Sequence, residues 1–367
     1  MSKYKGQIDY VHGDDTCLGV MIVNLGTPDA PTIRAIRKFL AEFLWDPRVV
    51  ELPRALWWLI LHLAVLQLRP RKKVESYAKI WTEEGSPLLV IGKKQEFALQ
   101  AALEGTCVGR VRVVLAMRYG EPSITSALQV LQENNARRIL VLPMYPQYSA
   151  STTASTFDGL VKELEGLRWI PEIRMVNCYG AEPEYIDACA DRIRSYWEHH
   201  PRSQKLLFSF HGLPKRSLVQ GDPYHCECQQ TARLIAEQLD LKPEEWVLTF
   251  QSRFGMAEWL QPYTDKTLKT LPSKGIESVD VFCPGFSADC IETLEEIDIQ
   301  NHEIFLQSGG KSFNYIPALN DSPAHIQALT QIISRNIQGW PECTRSPRAP
   351  EERENIRQRA QQLGAKH

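Results

Sequence analysis

The chain has 367 residues, an apolar content of 43% and a formal net charge of −2. This length is typical of two domains, and the near-neutral balance argues against nucleic-acid binding, which calls for a basic surplus. The nine cysteines are scattered along the chain, which is typical of reduced thiols rather than a disulfide framework. The amino terminus lacks the charged and then apolar layout of a secretion signal, so we expect a cytoplasmic protein.

Short apolar runs, typical of buried parallel strands, alternate with longer segments of helical periodicity. The predicted strands are, in chain order, 18–25, 111–117, 139–143, 173–178, 206–210, 246–250, 279–283 and 314–317. Residues 184–200 and 231–239 have the apolar spacing of helices. This repeated order predicts parallel sheets in doubly wound α/β layers.

The loops after the second group of four strands repeat those after the first group. The matching loops are Gly-x-Pro at 26–28 and 212–214, Arg-aromatic-Gly at 118–120 and 253–255, Pro-x-aromatic-Ser-Ala at 146–150 and 284–288, and Pro-x-x-Ile-x-Ala at 183–188 and 323–328. Four matches in the same order predict an internal duplication. The expected fold is therefore α/β, with two similar doubly wound parallel-sheet domains.

The duplication also predicts the domain boundaries. We expect an amino-terminal tail over 1–15, a first domain over 16–180, a second domain over 181–336 and a polar carboxyl-terminal tail over 337–367. The first copy is longer because of an insertion at about 33–104, which contains the apolar run ALWWLILHLAVLQL. That run is shorter than the roughly 20 apolar residues that span a bilayer.

In open parallel sheets, ligands bind beyond the carboxyl ends of the strands, so two such edges predict a cleft between the domains. His211 directly follows a predicted strand, whereas the matching position of the first copy is Leu25. A titratable side chain in one copy alone favours a functional role over a structural one. No strand is followed by a phosphate-binding glycine motif, which argues against a nucleotide enzyme.

A second candidate group is acidic. Asp289, Glu292 and Glu296 have the spacing i, i+3 and i+7, so an α-helix would place the three carboxylates on one face. Acidic residues also favour helix starts, and this purely structural explanation stays open. Together with His211, the carboxylates form either a ligand set for a divalent metal such as ferrous iron or an acid–base set.

The same motifs occur in a known family. They are VNLGTP at 23–28, YAKIWTEEGSPL at 77–88, MYPQYSASTTAS at 144–155, SFHGLPKRS at 209–217, FQSRFG at 250–255 and CPGFSADCIETLEEI at 283–297. Over roughly residues 17–335 the chain resembles ferrochelatases, above all those of Gram-negative bacteria. These enzymes insert ferrous iron into protoporphyrin.

The resemblance implies a chelatase-like enzyme that takes protoporphyrin IX and Fe²⁺ as substrates and makes protoheme, the last step of heme biosynthesis. It implies His211 and Glu292 as catalytic and metal-binding residues, with Glu296 and Asp289 as a relay for metal or protons. The implied porphyrin-binding residues are Leu25, Arg69, Tyr77, Ser86, Arg118, Tyr119, Tyr148 and Phe286. The apolar run is then either an entry lip in peripheral contact with the inner membrane or a buried helix.

The chain departs from the family at two places. Cys290 stands where many members have a histidine, and the carboxyl-terminal region has only Cys343, where animal members have three cysteines for an iron–sulfur cluster. We therefore expect no such cluster and no permanently bound cofactor. Cys226 and Cys228 have no further ligands nearby, which argues against a zinc site.

Three questions stay open at this point. One is whether the chain is a related chelatase, for coproporphyrin or for cobalt or nickel. Another is whether it is a tetrapyrrole carrier without catalysis. The third is whether His211 or Glu292 takes the pyrrole protons.

Overall fold

Two four-stranded parallel sheets form the framework of the molecule. The computed structural model describes residues 4–7, 10–255 and 257–366. The strands of the first sheet are β1 (Cys17–Gly26), β2 (Val111–Tyr119), β3 (Ala136–Pro143) and β4 (Glu172–Met175), and those of the second are β5 (Lys205–His211), β6 (Trp246–Gln251), β7 (Ser278–Phe282) and β8 (Ser312–Ile316). All eight predicted strands are confirmed, with small differences at their ends.

The two sheets have the same topology. Their strand orders are β2-β1-β3-β4 and β6-β5-β7-β8, and every pair of neighbours is parallel. The glycines of the repeated Arg-aromatic-Gly loops match as well, since Gly120 has φ +85° and Gly255 has φ +74°. Glycine adopts these left-handed conformations without the steric cost of a Cβ atom. The internal duplication predicted from the loops is confirmed.

Helices cover both faces of each sheet. They are α1 (Ile33–Trp45), α2 (Arg54–Ile60), α3 (Leu66–Ile80), α4 (Pro87–Glu104), α5 (Ile124–Glu133), α6 (Ser155–Leu164), α7 (Pro183–His199), α8 (Lys215–Val219), α9 (Tyr224–Gln238), α10 (Thr264–Thr270), α11 (His302–Gln307), α12 (Pro323–Asn336) and α13 (Pro350–Gln362). Successive strand residues point to opposite faces. Accordingly Val20 and Ile22 of β1 pack into one apolar cluster, and Met21 packs into another.

The largest apolar cluster joins the two halves of the molecule. It contains residues of both sheets together with residues of α4, α7, α9 and α12. Leu115 of β2, Phe208 of β5 and Leu329 of α12 are among its members. Buried apolar area contributes roughly 25 cal/mol per Å², so this shared cluster stabilises the halves against each other. The predicted boundary at residue 181 lies in the connection between β4 and α7.

The insertion of the first half contains α1, α2, α3 and α4. Between α2 and α3 the chain is π-helical over Leu61–Val65. Trp57 of α2 is buried, and its indole Nε1 donates to the backbone O of Leu44 at 2.7 Å, whereas Trp58 is 48% exposed. The apolar run therefore has one buried side and one exposed side. No helix within the described ranges 4–7, 10–255 and 257–366 combines the length and apolar character needed to cross a bilayer.

The carboxyl-terminal residues pack against the amino-terminal segment. The backbone N of Arg348 donates to Asp15 Oδ1 at 2.9 Å, and Arg357 forms an ion pair with Asp14 at 3.4 Å. The predicted polar tail thus contains a surface helix, α13, with no buried residue.

Candidate active site

His211 is the last residue of β5 and lies in register beside Gln251, the last residue of β6. Its imidazole Nδ1 lies 2.7 Å from the backbone O of Gly212. A carbonyl oxygen only accepts hydrogen bonds, so Nδ1 carries a proton in this contact. In the neutral imidazole, Nε2 is then the nitrogen that can accept a proton. The side chain is half-buried at the carboxyl edge of the second sheet.

The acidic segment is not the α-helix that its spacing predicts. From Glu292 to Asn301 the chain is π-helical, with i to i+5 hydrogen bonding, so the predicted α-helical face is wrong. Glu292, Glu295 and Glu296 all line one cavity of about 380 Å³. Glu295, which does not belong to the acidic group that the spacing singled out, therefore also lies in the cavity wall.

Asp289 precedes the π-helical segment and does not line this cavity. Its carboxylate accepts hydrogen bonds from the hydroxyls of Tyr315 and Thr293, and from Asn320 Nδ2 at 2.7 Å. The residue is only 6% exposed. The structure therefore separates Asp289 from the two glutamates with which the sequence grouped it, and its contacts anchor the start of the segment.

Negative and positive side chains line the same cavity. Besides its three glutamates, its wall contains the cationic residues Arg69, Lys72, Lys73 and Arg253. Carboxylates suit a divalent cation, and guanidinium and ammonium groups suit carboxylate or phosphate groups. The same cavity can hold a cation and the anionic groups of a larger molecule. Arg69 also lies over the ring of Phe254, with its guanidinium carbon 4.6 Å from the ring centroid.

Glu296 is held by Ser252, the residue that follows β6. The backbone N of Ser252 donates to Glu296 Oε1 at 2.7 Å, and its hydroxyl donates to Oε2. Burial raises the pKa of Glu296 above its ordinary value, while the hydrogen bonds from Ser252 and the nearby charge of His211 act in the opposite direction. The charge of Glu292 also raises the pKa of Glu296, so the three groups share one electrostatic environment.

The sequence interpretation missed the role of the FQSRFG loop. Gln251 Nε2 donates to the backbone O of Glu292 at 2.8 Å, and Ser209 donates to Gln251 Oε1 at 2.8 Å. Ser252 adopts φ +64°, a strained conformation for a non-glycine residue that is typical of functional sites. The sequence did contain one signal for this role. The loop follows β6 and therefore begins at the same carboxyl edge of the sheet as His211.

Arg118 and Tyr119 lie in a buried polar network at the end of β2. Asp46 Oδ2 accepts from Arg118 Nη2 at 2.6 Å, from the Tyr119 hydroxyl at 2.9 Å and from the Ser155 hydroxyl at 2.6 Å. Tyr119 is 1% exposed. The network joins the end of α1 to the carboxyl edge of the first sheet.

The remaining residues of the predicted porphyrin site fall into two groups. Tyr77 and Ser86 are buried. Burial, and next the charge of Glu292, raise the pKa of Tyr77 well above its usual range, which places Tyr77 near Glu292. Leu25, Tyr148 and Phe286 are half-buried at the carboxyl ends of the central strands.

Cys290 is a buried thiol beside Glu292. Burial, and next the charge of Glu292, raise the pKa of Cys290 well above its usual range, so a thiolate is disfavoured there. On α9, Cys228 is buried and Cys226 is exposed, so the two side chains do not converge. In the described part of the chain, no three His, Cys, Asp or Glu side chains are arranged to hold a metal ion.

A second cavity, of about 480 Å³, lies beside Thr16, Arg110 and Glu342. Thr16 and Arg110 immediately precede β1 and β2, so this cavity lies at the amino ends of the strands. Parallel sheets bind ligands at the opposite edge. The cavity with the three glutamates is therefore the candidate active site.

The likeness to solved structures agrees with the fold. SirB from Bacillus subtilis with Fe³⁺ has a TM-score of 0.52 and 12% identity, covering 88% of this chain and 96% of that chain. The sirohydrochlorin chelatase SirB from Bacillus subtilis subspecies spizizenii in complex with cobalt has a TM-score of 0.50 and 10% identity, covering 89% and 99%. At this identity the likeness concerns the fold alone.

Sequence comparison identifies the family. A family model named Ferrochelatase matches residues 17–337. Ferrochelatase of Thioalkalivibrio sulfidiphilus is 57% identical over 341 residues, covering 93% of this chain and 92% of the relative. Ferrochelatase of Marinobacter nauticus is 53% identical over 359 residues, covering 98% and 97%. With relatives more than half identical along nearly its whole length, the chain belongs to the ferrochelatase family.

Proposed function

We propose that this enzyme inserts ferrous iron into protoporphyrin IX at the cavity that contains Glu292 and Glu296, giving protoheme. The observation that supports this most strongly is that Glu292 and Glu296 line one cavity, close enough to His211 that the charges of His211 and Glu292 both act on the pKa of Glu296. Iron insertion needs a group that accepts protons and groups that bind a divalent cation. An imidazole and two carboxylates meet both needs.

Insertion exchanges two pyrrole protons for one Fe²⁺ ion, so the porphyrin loses two protons and gains one metal. We assign proton acceptance to His211, because its Nδ1 is occupied by the Gly212 carbonyl and its Nε2 is free to accept. Glu292 binds the incoming iron as an oxygen ligand. Glu296, whose pKa burial raises, passes protons or iron along the cavity wall.

The flat porphyrin ring needs apolar walls and its propionates need cations. Leu25, Tyr148 and Phe286 supply half-buried apolar surface beyond the central strands. Arg69 and Lys73 line the same cavity as the glutamates and suit the propionates. Five further residues of the predicted site make buried contacts instead, and we propose that they support these walls. They are Arg118, Tyr119, Tyr77, Ser86 and Asp289.

We also propose that the enzyme is cytoplasmic and touches the inner membrane peripherally. The support for this is an exposed surface, the apolar lip, formed by Leu56, Trp58, Leu59, Leu63 and Leu68. These side chains are between 48% and 72% exposed. Arg69, Arg71, Lys72 and Lys73 follow directly in the sequence. An apolar surface beside basic residues suits a membrane with anionic headgroups.

The enzyme is further proposed to work without a resident cofactor. An iron–sulfur cluster needs several cysteine ligands, and Cys343 is the only cysteine after residue 290 in the sequence. The purified protein should contain no acid-labile sulfide. Iron and sulfide in equal amounts, with a visible band that dithionite bleaches, would show that a cluster is present.

The direct test is an anaerobic assay with protoporphyrin IX and Fe²⁺, followed by the heme spectrum. His211→Ala should lower the rate at least about 100-fold and leave porphyrin binding intact, because general bases contribute 10²–10⁴-fold. His199→Ala, at an exposed position at the end of α7, is the matched control. Iron insertion into coproporphyrin but not into protoporphyrin IX would favour the related chelatase. Porphyrin binding without turnover would favour a carrier.

A further inference from the structure

Gln95 is a buried amide that connects the two halves of the molecule. It lies in the middle of α4, in the first half, and its exposure is 0%. Its Nε2 donates to the backbone O of Ser287 at 3.0 Å and to the backbone O of Asn320 at 2.9 Å. Both acceptors belong to the second half. Since a buried amide without partners costs free energy, these two bonds define where the second half can sit against α4.

The two carbonyls that Gln95 holds lie beside the start of the acidic segment. Asn320 brackets Asp289, because Asn320 Oδ1 accepts from the backbone N of Asp289 at 2.8 Å and Asn320 Nδ2 donates to Asp289 Oδ2 at 2.7 Å. Thr293 then donates to Asp289 Oδ1 at 3.0 Å. A continuous chain of hydrogen bonds therefore runs from Gln95 to the turn that contains Glu292.

Apolar packing follows the same path. Leu88 and Ile91 are on the same face of α4 as Gln95, at i, i+3 and i+7. They pack against Ala288 and Cys290, the residues that flank Asp289. One face of a first-half helix thus holds both the backbone and the side chains of the loop that leads to Glu292.

The amino end of α4 lies at the other wall of the cleft. Ser86 immediately precedes the helix, and Thr27, which follows β1, donates to the Ser86 hydroxyl at 2.7 Å. The helix is therefore fixed at one end to the carboxyl edge of the first sheet. Through Gln95 it is also fixed to the base of the acidic segment in the second half.

We propose that Gln95 is a positioning residue for iron insertion, which sets the place of Glu292 relative to the first-half wall of the cleft. It acts through the carbonyls of Ser287 and Asn320 and does not touch iron or porphyrin. This inference rests on the function proposed above for Glu292. The inference gives helix α4 a role in the reaction, although no residue of α4 lines the cavity with the three glutamates.

The test compares the same substitution at two glutamines of α4. Gln95→Met keeps the approximate volume and removes both hydrogen bonds to the second half. Gln100→Met also removes hydrogen bonds, since Gln100 Nε2 donates to the backbone O of Val111 at 3.0 Å and Gln100 Oε1 accepts from the backbone N of Val113 at 2.7 Å. Those partners all lie in the first half, so Gln100→Met is the matched control.

We expect Gln95→Met to lower kcat/KM for Fe²⁺ about tenfold, with KM for porphyrin unchanged within twofold. Gln100→Met should keep kcat/KM for Fe²⁺ within twofold of wild type, although it lowers Tm about as much as Gln95→Met does. The decisive readout is the double variant Gln95→Met/Glu292→Gln, assayed at high enzyme concentration. If Gln95 acts through Glu292, adding Gln95→Met to Glu292→Gln causes no further loss.

A Gln95→Met enzyme with kcat/KM within twofold of wild type would overturn the inference. The same tenfold loss in the Glu292→Gln background would also overturn it. If Gln95→Met does not fold, Asn320→Gly tests the next link, because glycine accepts the φ of +51° at that position while the bracket on Asp289 is lost. A wild-type protein that makes no heme would instead refute the proposed function itself.

Discussion

Three glutamates share the cavity wall, yet their side chains have different partners. Glu295 accepts from Gln300 Nε2 at 2.6 Å and lies 4.0 Å from the ammonium of Lys79. It is 2% exposed. Glu296 is held by Ser252 through two hydrogen bonds. Glu292 is anchored through its backbone carbonyl by Gln251. Its carboxylate interacts with the Cys290 thiol and, after burial, helps to raise the pKa of that thiol.

We therefore expect Glu292→Gln to lower the rate of iron insertion at least about 100-fold, because an amide is a weaker ligand for a divalent cation than a carboxylate and a single electrostatic stabiliser typically contributes 10²–10³-fold. Glu295→Gln should cost less than about fivefold, because an amide can still bond Gln300. Initial rates at saturating porphyrin, with Tm as a check on folding, measure both. Equal losses would mean that the cluster acts only through its total charge.

At single positions, the sequence predicted residues with distinctive chemistry and missed those with distant partners. His211 stood out because a titratable group follows a strand in one copy only. Asp289 was grouped with the glutamates by spacing, but its partners Tyr315 and Asn320 are about 30 residues further along the chain. In the sequence, Gln95 is indistinguishable from a surface glutamine of a helix, because its hydrogen-bond acceptors are carbonyls of the second half.

At the scale of elements, the strands followed directly from the sequence, whereas the π-helical segments did not. Continuous apolar runs are typical of strands buried on both faces, and β1 packs into a separate cluster on each face. The spacing of the acidic residues fits an α-helix as well as it fits the π-helical segment that the structure shows. Its π-helical form depends on tertiary contacts, such as the bond from Gln251 to the backbone O of Glu292. Local periodicity does not contain that information.

The apolar lip gives a prediction for one element. Trp57 is buried and its indole bonds the carbonyl of Leu44, so Trp57→Ala should lower the free energy of unfolding by about 3–5 kcal/mol. Trp58 is about half exposed, so Trp58→Ala should change stability by about 1 kcal/mol or less. If the lip contacts membranes, Trp58→Ala should weaken binding to phosphatidylcholine vesicles that contain phosphatidylglycerol.

Urea unfolding and vesicle co-sedimentation measure the two effects separately. His62→Ala serves as the control, since His62 stacks on Trp58 and borders the same surface without adding large apolar area. Vesicle binding unchanged by Trp58→Ala, together with an unchanged KM for porphyrin, would contradict the lip interpretation.

The whole molecule behaves as two copies of one topology that share a core. Repeated loops predicted the duplication, because each loop conserves a local backbone requirement such as the left-handed glycine after β2 and β6. The sequence predicted a cleft between the copies but not the packing that joins them. That arrangement depends on the cluster of α4, α7, α9 and α12, whose members lie far apart along the chain.

His325 links this shared core to pH. It lies on α12 with 0% exposure, and its Nδ1 contacts the backbone O of Asn320 at 2.7 Å, the same carbonyl that accepts from Gln95. Burial lowers the pKa of His325 from 6.5 to about 4, with the Asn320 carbonyl acting in the opposite direction and the charge of Arg192 adding to the decrease. The folded protein therefore keeps this imidazole neutral at pH values where the unfolded chain binds a proton.

A lowered pKa in the folded state means that His325 costs no stability above about pH 7 and costs progressively more as the pH falls from 6.5 towards 4. Between pH 7 and pH 5 the difference in proton binding corresponds to about 2 kcal/mol of unfolding free energy. We expect His325→Gln to abolish this part of the acid sensitivity. The other histidines are the same in both proteins, so the difference between the two curves of unfolding free energy against pH, measured with urea, isolates His325. Because α12 packs on both α4 and α7, the loss in wild type should appear as cooperative unfolding of both halves together. If the buried imidazole stays neutral, the unfolding free energy of wild type falls more steeply with decreasing pH than that of His325→Gln, so the two curves approach each other and then cross. Curves that stay parallel from pH 7 to pH 5 would contradict the assignment.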